Sequence, residues 1–119
     1  MAETLPRTRV IRRRADFDLV RNRGRRHNNR YLTLSVLPLN RDDTASVAHA
    51  AHVAFLVPKR LGPATVRNRL RRRMREIYRR HLQPATPTHY LVWIARPPAV
   101  QLDFAALKGA MELLFSKKD

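Results

Sequence analysis

The chain has 119 residues, 44% of them apolar, which fits one domain with a modest hydrophobic core and excludes a fully disordered polycation. It contains no cysteine, which excludes disulfides and thiolate metal sites, and no apolar run near the roughly 20 residues that span a bilayer, so we expect a cytoplasmic protein without a membrane partner. The formal net charge of +16, from 25 Lys and Arg against 9 Asp and Glu, indicates a polyanionic partner.

The N-terminal part of the chain is rich in arginine. We interpret residues 1–14 as a flexible basic arm and residues 15–119 as the single domain. A short helix is predicted over residues 15–23, because an acidic residue lies in its first turn and Gly24 follows it. Residues 25–30 are predicted to form a basic loop.

Two strands are predicted in the next part of the chain. Residues 31–37 alternate, with aliphatic side chains at 32, 34 and 36 on one side and hydroxyl-bearing side chains at 31, 33 and 35 on the other. This pattern is typical of a half-buried strand, and Pro38 ends it. Residues 40–43 are predicted to form a turn. Residues 53–57 are a shorter and more apolar run, which predicts a more central strand.

The next predicted element is a long helix over residues 63–82, which opens at Gly62 and Pro63 and ends before Pro84. Its apolar stripe consists of residues at helical spacing, namely Val66, Leu70, Met74, Ile77 and His81. Arginines occupy the opposite side, so we expect this helix to present one strongly basic face.

The C-terminal part is predicted to hold one more strand and one more helix. Residues 90–95 are apolar on both faces, which indicates a buried strand, and Pro97 and Pro98 end it. Asp103 is the predicted N-cap of the last helix. The apolar stripe of that helix comprises Phe104, Leu107, Met111, Leu114 and Phe115.

The predicted elements follow the order α-β-β-α-β-α, with room for an extra short strand near the start. They describe an α/β or α+β two-layer sandwich with about four strands and three helices. Strand 53–57, helix 63–82 and strand 90–95 form a βαβ unit, for which ordinary statistics favour a right-handed crossover.

Most of the positive charge lies in two segments. Residues 7–30 hold ten Arg and two Asp, and residues 58–81 hold ten Lys or Arg and one Glu. Charge that serves only solubility is usually scattered and mixed in sign. Concentrated basic segments are typical of nucleic-acid-binding proteins, in which arginine grips phosphate with two parallel hydrogen bonds.

The densest motif runs from Lys59 and Arg60 through Gly62 into an Arg-Asn-Arg helix start at residues 67–69, followed by further arginines. The helix N-terminus adds a positive partial charge of its own. Asn68 adds a neutral donor and acceptor suited to a ribose hydroxyl or a base edge. A merely solvated basic face, or an amphipathic helix for calmodulin or a membrane, is the alternative, although the stripe lacks the Trp and Phe of the latter.

This motif resembles the signature of the protein subunits of bacterial ribonuclease P. The resemblance is strongest over residues 58–78 and extends to Ala15-Asp16-Phe17, Asn29-Arg30-Tyr31, residues 90–98 and the last helix. It implies an RNA-binding sandwich of the ribosomal-protein type with a left-handed βαβ crossover. It also implies a catalytic RNA partner, one per protein, which uses bound Mg²⁺ to remove the 5′ leader of precursor tRNA, while the protein alone binds no cofactor.

The resemblance assigns two groups of site residues and no catalytic residue within the protein. The group that would contact the catalytic RNA is Arg67, Asn68, Arg69, Arg71, Arg72 and Arg75. The group that would line or rim a cleft for the 5′ leader is Phe17, Arg21, Tyr31, Ser35, Lys59 and Arg60. Phe17 and Tyr31 have an alternative role as core residues, since aromatic rings are often buried.

The residues themselves indicate no protein-borne active site. None of the nine acids stands in a paired arrangement flanked by a cleft signal, and the chain has no nucleophile motif or phosphate-binding glycine loop. His49 and His52 are poor zinc ligands without further donors. A nuclease acting alone with metal ions would need an acidic cluster. A basic structural RNA-binding protein of the ribosomal or nucleoid type, with no role in cleavage, shares the charge and is the alternative function.

Overall fold

The computed structural model describes Leu5 and residues 9–39, 52–84 and 88–118. The predicted turn at residues 40–43 lies outside these ranges. The helices are α1 (Arg14–Arg23), α2 (Ala64–Ile77) and α3 (Phe104–Phe115), and the strands are β1 (Arg25–Asn28), β2 (Leu32–Pro38), β3 (Val53–Leu56) and β4 (His89–Ala95). The predicted order of helices and strands is confirmed, including the extra short strand.

The strand β4 lies in the middle of the sheet. The four strands pair in the order β1-β2-β4-β3. β4 runs antiparallel to β2 and parallel to β3, so α2 connects two neighbouring parallel strands. Leu91, Val92 and Trp93 are all buried, as expected for a strand that is apolar on both faces.

The two faces of the sheet carry separate apolar clusters. On one face, α2 and α3 pack on the sheet, and Met74, Trp93 and Leu107 are fully buried there. On the other face, α1 covers a smaller cluster in which Val20 packs with Val92. Each fully buried apolar side chain contributes roughly 1.5–3 kcal/mol, so the two clusters together hold the sheet between the helices.

The segment predicted as a basic loop, residues 25–30, is a strand over its first four residues. Arg25–Asn28 pairs antiparallel with β2, and Arg25 lies opposite Val36. The sequence Arg-Arg-His-Asn shows no apolar alternation, because β1 is an edge strand whose side chains are mostly exposed. This strand forms through backbone pairing with β2, and its side chains show no pattern from which a strand could be predicted.

The end of the long basic helix differs from the predicted stripe. After Ile77 the helix continues through Tyr78–Leu82 as a π-helical turn. A π turn is closed by bonds between residues five apart, so the core position one turn after Ile77 is Leu82 and not His81. Leu82 is buried and His81 is exposed, which corrects the predicted stripe at its C-terminal end.

Part of the segment interpreted as a flexible arm, residues 1–14, packs on the domain. Leu5 and Ile11 are buried, and Val10 forms a parallel bridge with Val53 at the outer edge of β3. Ile11 N also donates to Val53 O at 2.8 Å. The described part of this segment therefore belongs to the folded domain.

The last helix, α3, begins at its predicted cap. The Asp103 carboxylate accepts a hydrogen bond from Ala106 N at 2.8 Å, which satisfies one of the unpaired amides of the first turn. The middle of the predicted apolar stripe is fully buried, whereas Phe104 is 37% exposed. Side chains lean toward the N-terminus of their helix, so a ring in the first turn points past the core.

Tyr78 and His52 form a buried polar pair at the end of α2. The Tyr78 side chain is fully buried, and its hydroxyl shares a 2.8 Å hydrogen bond with His52 Nε2. Burial raises the pKa of Tyr78 above its ordinary value, and the Arg9 charge lowers it in part. The folded protein therefore keeps this phenol protonated at a higher pH than the unfolded chain does.

The variant Tyr78→Phe should change how stability depends on pH. The unfolded phenol ionises near pH 10, so the wild type loses stability as the pH rises above about 10, and the variant should lack that loss. Below that pH the variant should be less stable by about 0.5–1.5 kcal/mol, because the hydrogen bond to His52 is gone. Urea unfolding between roughly pH 7 and pH 11 measures both effects. Parallel stability curves for the two proteins would contradict this prediction.

Candidate nucleic-acid interface

A groove of about 500 Å³ lies between α1 and the sheet, and we call it the α1 groove. Its helical wall consists of Arg14, Phe17, Asp18, Val20 and Arg21. Its sheet side consists of Arg26, Ser35, Leu56, Val92 and Ile94. The residues of the sheet side meet because the strands are in register: Arg26 lies opposite Ser35, and Ser35 lies opposite Val92.

Three of the six residues predicted for a leader cleft line this groove together. Phe17 and Arg21 come from successive turns of α1, and Ser35 is buried on the floor. The Phe17 ring is half-buried against the cluster that contains Val20 and Val92. Phe17 therefore packs on this small cluster and lines the groove as well.

The other three predicted cleft residues lie outside the groove lining. Tyr31 packs against the core on the face of α2 and α3, with the Arg30 guanidinium carbon 6.0 Å from its ring centroid. Lys59 and Arg60 are exposed in a 3₁₀ turn shortly after Leu56, which lines the groove. Of the two roles considered for Tyr31, the contacts favour core packing.

The α1 groove carries an excess of positive charge, with three arginines and one acid. Arg14 Nε lies 3.9 Å from the Asp18 carboxylate, but the Arg14 side chain is 92% exposed, so this contact contributes at most about 1 kcal/mol. Sequence reasoning missed Arg14 and Arg26. Strand alternation would have identified Arg26 as a groove residue if β1 had been recognised.

A second surface, the α2 basic face, lies where α2 passes the outer edge of β3. It holds a hollow of about 260 Å³. The residues that line it are Asn68, Arg71, Arg72 and Arg75 from the helix, with Val10 and Phe55 beside them. The four helical residues are spaced i, i+3, i+4 and i+7, which puts them on one side of the helix. Four of the six residues predicted to contact a catalytic RNA are thus brought together.

Two hydrogen bonds hold side chains of the α2 basic face in place. Arg71 Nη1 donates to Asn68 Oδ1 at 2.9 Å, and Arg75 Nη2 donates to Leu5 O at 2.7 Å. A guanidinium has five N–H donors, so both arginines keep donors for a phosphate. Side chains that are already ordered lose less entropy when they bind.

The other two predicted residues, Arg67 and Arg69, lie outside this hollow. Arg67 Nε donates to Gly62 O at 3.0 Å and so braces the turn that precedes α2. Gly62 has a φ of 146°, which side chains other than glycine rarely tolerate. Arg69 is exposed, so it extends the basic surface beyond the hollow.

The positive charge of the helix weakens toward its C-terminal end. The Glu76 carboxylate lies 2.9 Å from Arg79 Nη2 and 2.7 Å from Arg80 Nε. One carboxylate thus offsets one of two guanidinium charges. The strongest positive charge remains on the first three turns, where the Arg-Asn-Arg sequence lies.

Two consecutive residues of the edge strand β3 line the two surfaces. Phe55 lines the hollow of the α2 basic face, and the next residue, Leu56, lines the α1 groove. Successive strand residues point to opposite faces of a sheet. The groove and the basic face are therefore neighbours across one edge of the sheet.

No group of three or more His, Cys, Asp or Glu side chains that could hold a metal ion occurs among the described residues. His52 is buried and hydrogen-bonded to Tyr78, and His49 lies outside the described ranges. None of the helices in the described ranges is long and apolar enough to cross a bilayer.

Comparison with known proteins relates nearly the whole chain to one family. Residues 5–119 match the family model described as Ribonuclease P. The ribonuclease P protein component of Desulfovibrio desulfuricans is 36% identical over 92% of this chain and 81% of its own length. That of Acidothermus cellulolyticus is 35% identical over 95% of this chain and 90% of its own length.

Solved structures show the same fold. The RNase P protein of Thermotoga maritima superposes with a TM-score of 0.74 at 24% identity, over 92% of this chain and 97% of that one. The Staphylococcus aureus protein gives a TM-score of 0.75 at 24% identity, over 92% and 96%. The family match covers residues 5–119, and the Arg-Asn-Arg helix lies at the edge of the sheet. The chain therefore belongs to the ribonuclease P family, as the protein component of a ribonucleoprotein endoribonuclease whose RNA carries catalysis.

Proposed function

We propose that this protein holds the 5′ leader of precursor tRNA in the α1 groove while the α2 basic face binds the catalytic RNA of ribonuclease P. The groove carries this proposal. It combines a half-buried aromatic ring, a largely apolar floor and three arginines, which is the combination that retains a single strand through base stacking and phosphate contact. Removal of the leader then leaves the mature 5′ end of the tRNA.

The α2 basic face suits a structured RNA. Arg71, Arg72 and Arg75 offer charged forks for phosphates, and Asn68 beside them offers a contact to a ribose hydroxyl or a base edge. In this proposal Arg67 and Arg69 extend the contact. Lys59 and Arg60 rim the passage between the two surfaces, since their 3₁₀ turn begins three residues after the end of β3. Tyr31 supports the fold.

The proposal assigns the chemistry to the RNA subunit. Mg²⁺ bound by that RNA activates the hydrolysis, while the protein contributes charge and position and binds no cofactor itself. One protein pairs with one RNA in the bacterial cytoplasm. The family relation supports the RNA partnership, and the groove and the basic face supply a separate surface for each of the two RNAs.

Reconstitution tests the proposed function. The protein alone should leave precursor tRNA intact, whereas protein added to the RNA subunit should lower the Mg²⁺ needed for cleavage and favour precursor over mature tRNA. A structural RNA-binding protein would bind RNA without changing cleavage. Cleavage by the RNA-free protein after rigorous nuclease controls would contradict the proposal.

The variant Arg72→Ala should weaken binding to the catalytic RNA by about 1.5–3 kcal/mol, because it removes a charge-assisted fork from the centre of the α2 basic face. The matched control is Lys108→Ala, which removes one positive charge from α3, where Lys108 pairs with Glu112 at 3.6 Å. Titration of labelled RNA with each protein measures the difference. Equal losses for both variants would mean that only net charge matters.

The variant Phe17→Ala should reduce the preference for leader-bearing over leaderless tRNA by about 1–3 kcal/mol, the value of one lost stack, with little effect on holoenzyme assembly. Tyr31→Ala should leave that preference unchanged and destabilise the fold instead, since Tyr31 packs on the core. Affinities for the two tRNAs and thermal unfolding separate these effects. Loss of leader preference in the Tyr31 variant alone would place the leader elsewhere.

A further inference from the structure

A second hollow, of about 440 Å³, lies at the β1 edge of the sheet, and we call it the β1 hollow. Its lining residues are Arg23, Arg25, Val36, Pro38, His89 and Lys118. Val36 belongs to the core between the sheet and the two long helices, so the hollow opens on the face opposite the α1 groove. Neither the leader site nor the α2 basic face includes it.

The β1 hollow is electropositive. Three of its six lining residues are Arg or Lys, and no described acid lines it. Within the described ranges, neither Arg23 nor Arg25 forms an ion pair or a side-chain hydrogen bond. Both guanidinium groups therefore keep all of their donors for an external acceptor, and their planar forks match a phosphate.

These cations come from two parts of the chain, since Arg23 and Arg25 are two residues apart and Lys118 is far from them in sequence. Arg23 ends α1, Arg25 begins β1, and Lys118 follows α3. Lys118 Nζ lies 4.3 Å from the Phe115 ring centroid, a cation–π contact that holds the C-terminal segment beside the sheet. A solvated basic face lies along a single helix, whereas these cations come together from different elements. This arrangement favours a binding role.

The β1 hollow and the α1 groove meet at β1. Arg25 lines the hollow, and its neighbour Arg26 lines the groove, because successive strand residues point to opposite faces. Among the described strands β1 is outermost, so no strand separates the two openings on that side. A single RNA strand that leaves the groove past Arg26 reaches Arg25 and Arg23 by bending around one strand.

We propose that the β1 hollow binds phosphates of RNA and extends the α1 groove around the edge of the sheet. Its ligand is the backbone of the strand held in the groove, beyond the nucleotides that stack there, so the inference rests on the proposed function of the groove. The catalytic RNA offers the same phosphodiester chemistry, and the experiment separates these two sources.

The first experiment uses the full-length protein and fluorescent oligouridines of roughly 5 and 20 nucleotides, with affinity measured by anisotropy at several salt concentrations. Arg25→Ala should weaken binding of the long oligomer about three- to tenfold, and its salt slope should become less steep by about 1, as for loss of one phosphate contact. The short oligomer fills only the groove and should bind nearly as before. Lys118→Ala, outside every helix and strand, should act in the same direction.

The control is Lys108→Ala, which removes one positive charge from α3 outside both hollows. It should change neither the affinity for the long oligomer nor the salt slope by a comparable amount. If Arg25→Ala leaves the affinity for the long oligomer unchanged, the β1 hollow is not a phosphate site and the proposal fails. The proposal also fails if Arg25→Ala weakens binding of both oligomers and Lys108→Ala does the same.

A second experiment identifies the source of the phosphates in the reconstituted holoenzyme. If Arg25→Ala weakens only the binding of precursor tRNA with a long leader, this supports the leader as the ligand. If Arg25→Ala weakens assembly with the RNA subunit whatever the leader, this supports phosphate binding but assigns it to the catalytic RNA. Phe17→Ala in parallel keeps the two proposals distinct. If Phe17→Ala leaves leader preference intact while Arg25→Ala still weakens binding of the long oligomer, the proposed leader site in the α1 groove is wrong. The proposed phosphate site in the β1 hollow is then still supported.

Discussion

Raising monovalent salt from about 50 mM to about 200 mM should weaken binding of this protein to the catalytic RNA by roughly two to four orders of magnitude. Each arginine that meets a phosphate releases condensed counterions, and added salt opposes that release. With about six to eight such contacts from α2 and its flanks, the logarithm of the affinity should fall against the logarithm of the salt concentration with a slope of about −4 to −7. Titrations at five or more salt concentrations measure this slope.

A matched variant tests where that charge lies. Glu76 offsets part of the charge of Arg79 and Arg80, so Glu76→Gln should make the slope steeper by up to about 1 and raise the affinity at low salt. Arg72→Ala should make the slope less steep by about 1. A wild-type slope near −1 would mean that the arginines of α2 stay solvated and that shape or stacking carries the affinity.

Gly24→Ala should be the most damaging single substitution between α1 and the sheet, with a loss of about 3 kcal/mol in the free energy of unfolding. A Cβ at this position would lie 2.8 Å from Val36 O and still closer to Val20 O. Both are backbone atoms, so the last turn of α1 must deform and α1 must move away from β2 to relieve the clash. The φ of Gly24 is an ordinary −76°, so close approach and not backbone conformation requires glycine here.

The result should appear in two measurements. Thermal unfolding should begin roughly 10–15 °C lower than in the wild type, and leader preference should fall because α1 forms one wall of the groove. The control is Gly109→Ala, since a Cβ on this helical glycine meets nothing within 4 Å and should stabilise the protein by about 0.5–1 kcal/mol. Equal stability of the two variants would contradict the close packing at Gly24.

The elements with a clear hydrophobic period could be predicted from the sequence. The strands β2, β3 and β4 and the three helices lie within a few residues of their predicted positions, because each buries a regular apolar pattern. β1 has no such pattern, since it is an exposed edge strand that exists through pairing with β2. The π turn at Tyr78–Leu82 breaks the helical period, so the exchange of His81 for the buried Leu82 could not be inferred from spacing.

The candidate site was predictable only in part. The resemblance indicated Phe17, Arg21 and Ser35, and they do line one groove. Arg26 and Ile94 line the same groove, but their place depends on the strand register, which no local pattern fixes. Tyr31 is close in sequence to the groove-lining Ser35, yet it packs on the opposite face of the sheet.

The central position of β4 has a consequence for synthesis on the ribosome. β4 pairs with both β2 and β3, so neither pairing can form until Ala95 has left the exit tunnel. β2 ends at Pro38, so at about 5–20 residues per second it waits roughly 3–11 s for β4 to be synthesised. During that interval the arginines of α2 have already emerged while the apolar core is still open. The nascent chain is thus a polycation beside ribosomal RNA before it is a folded protein.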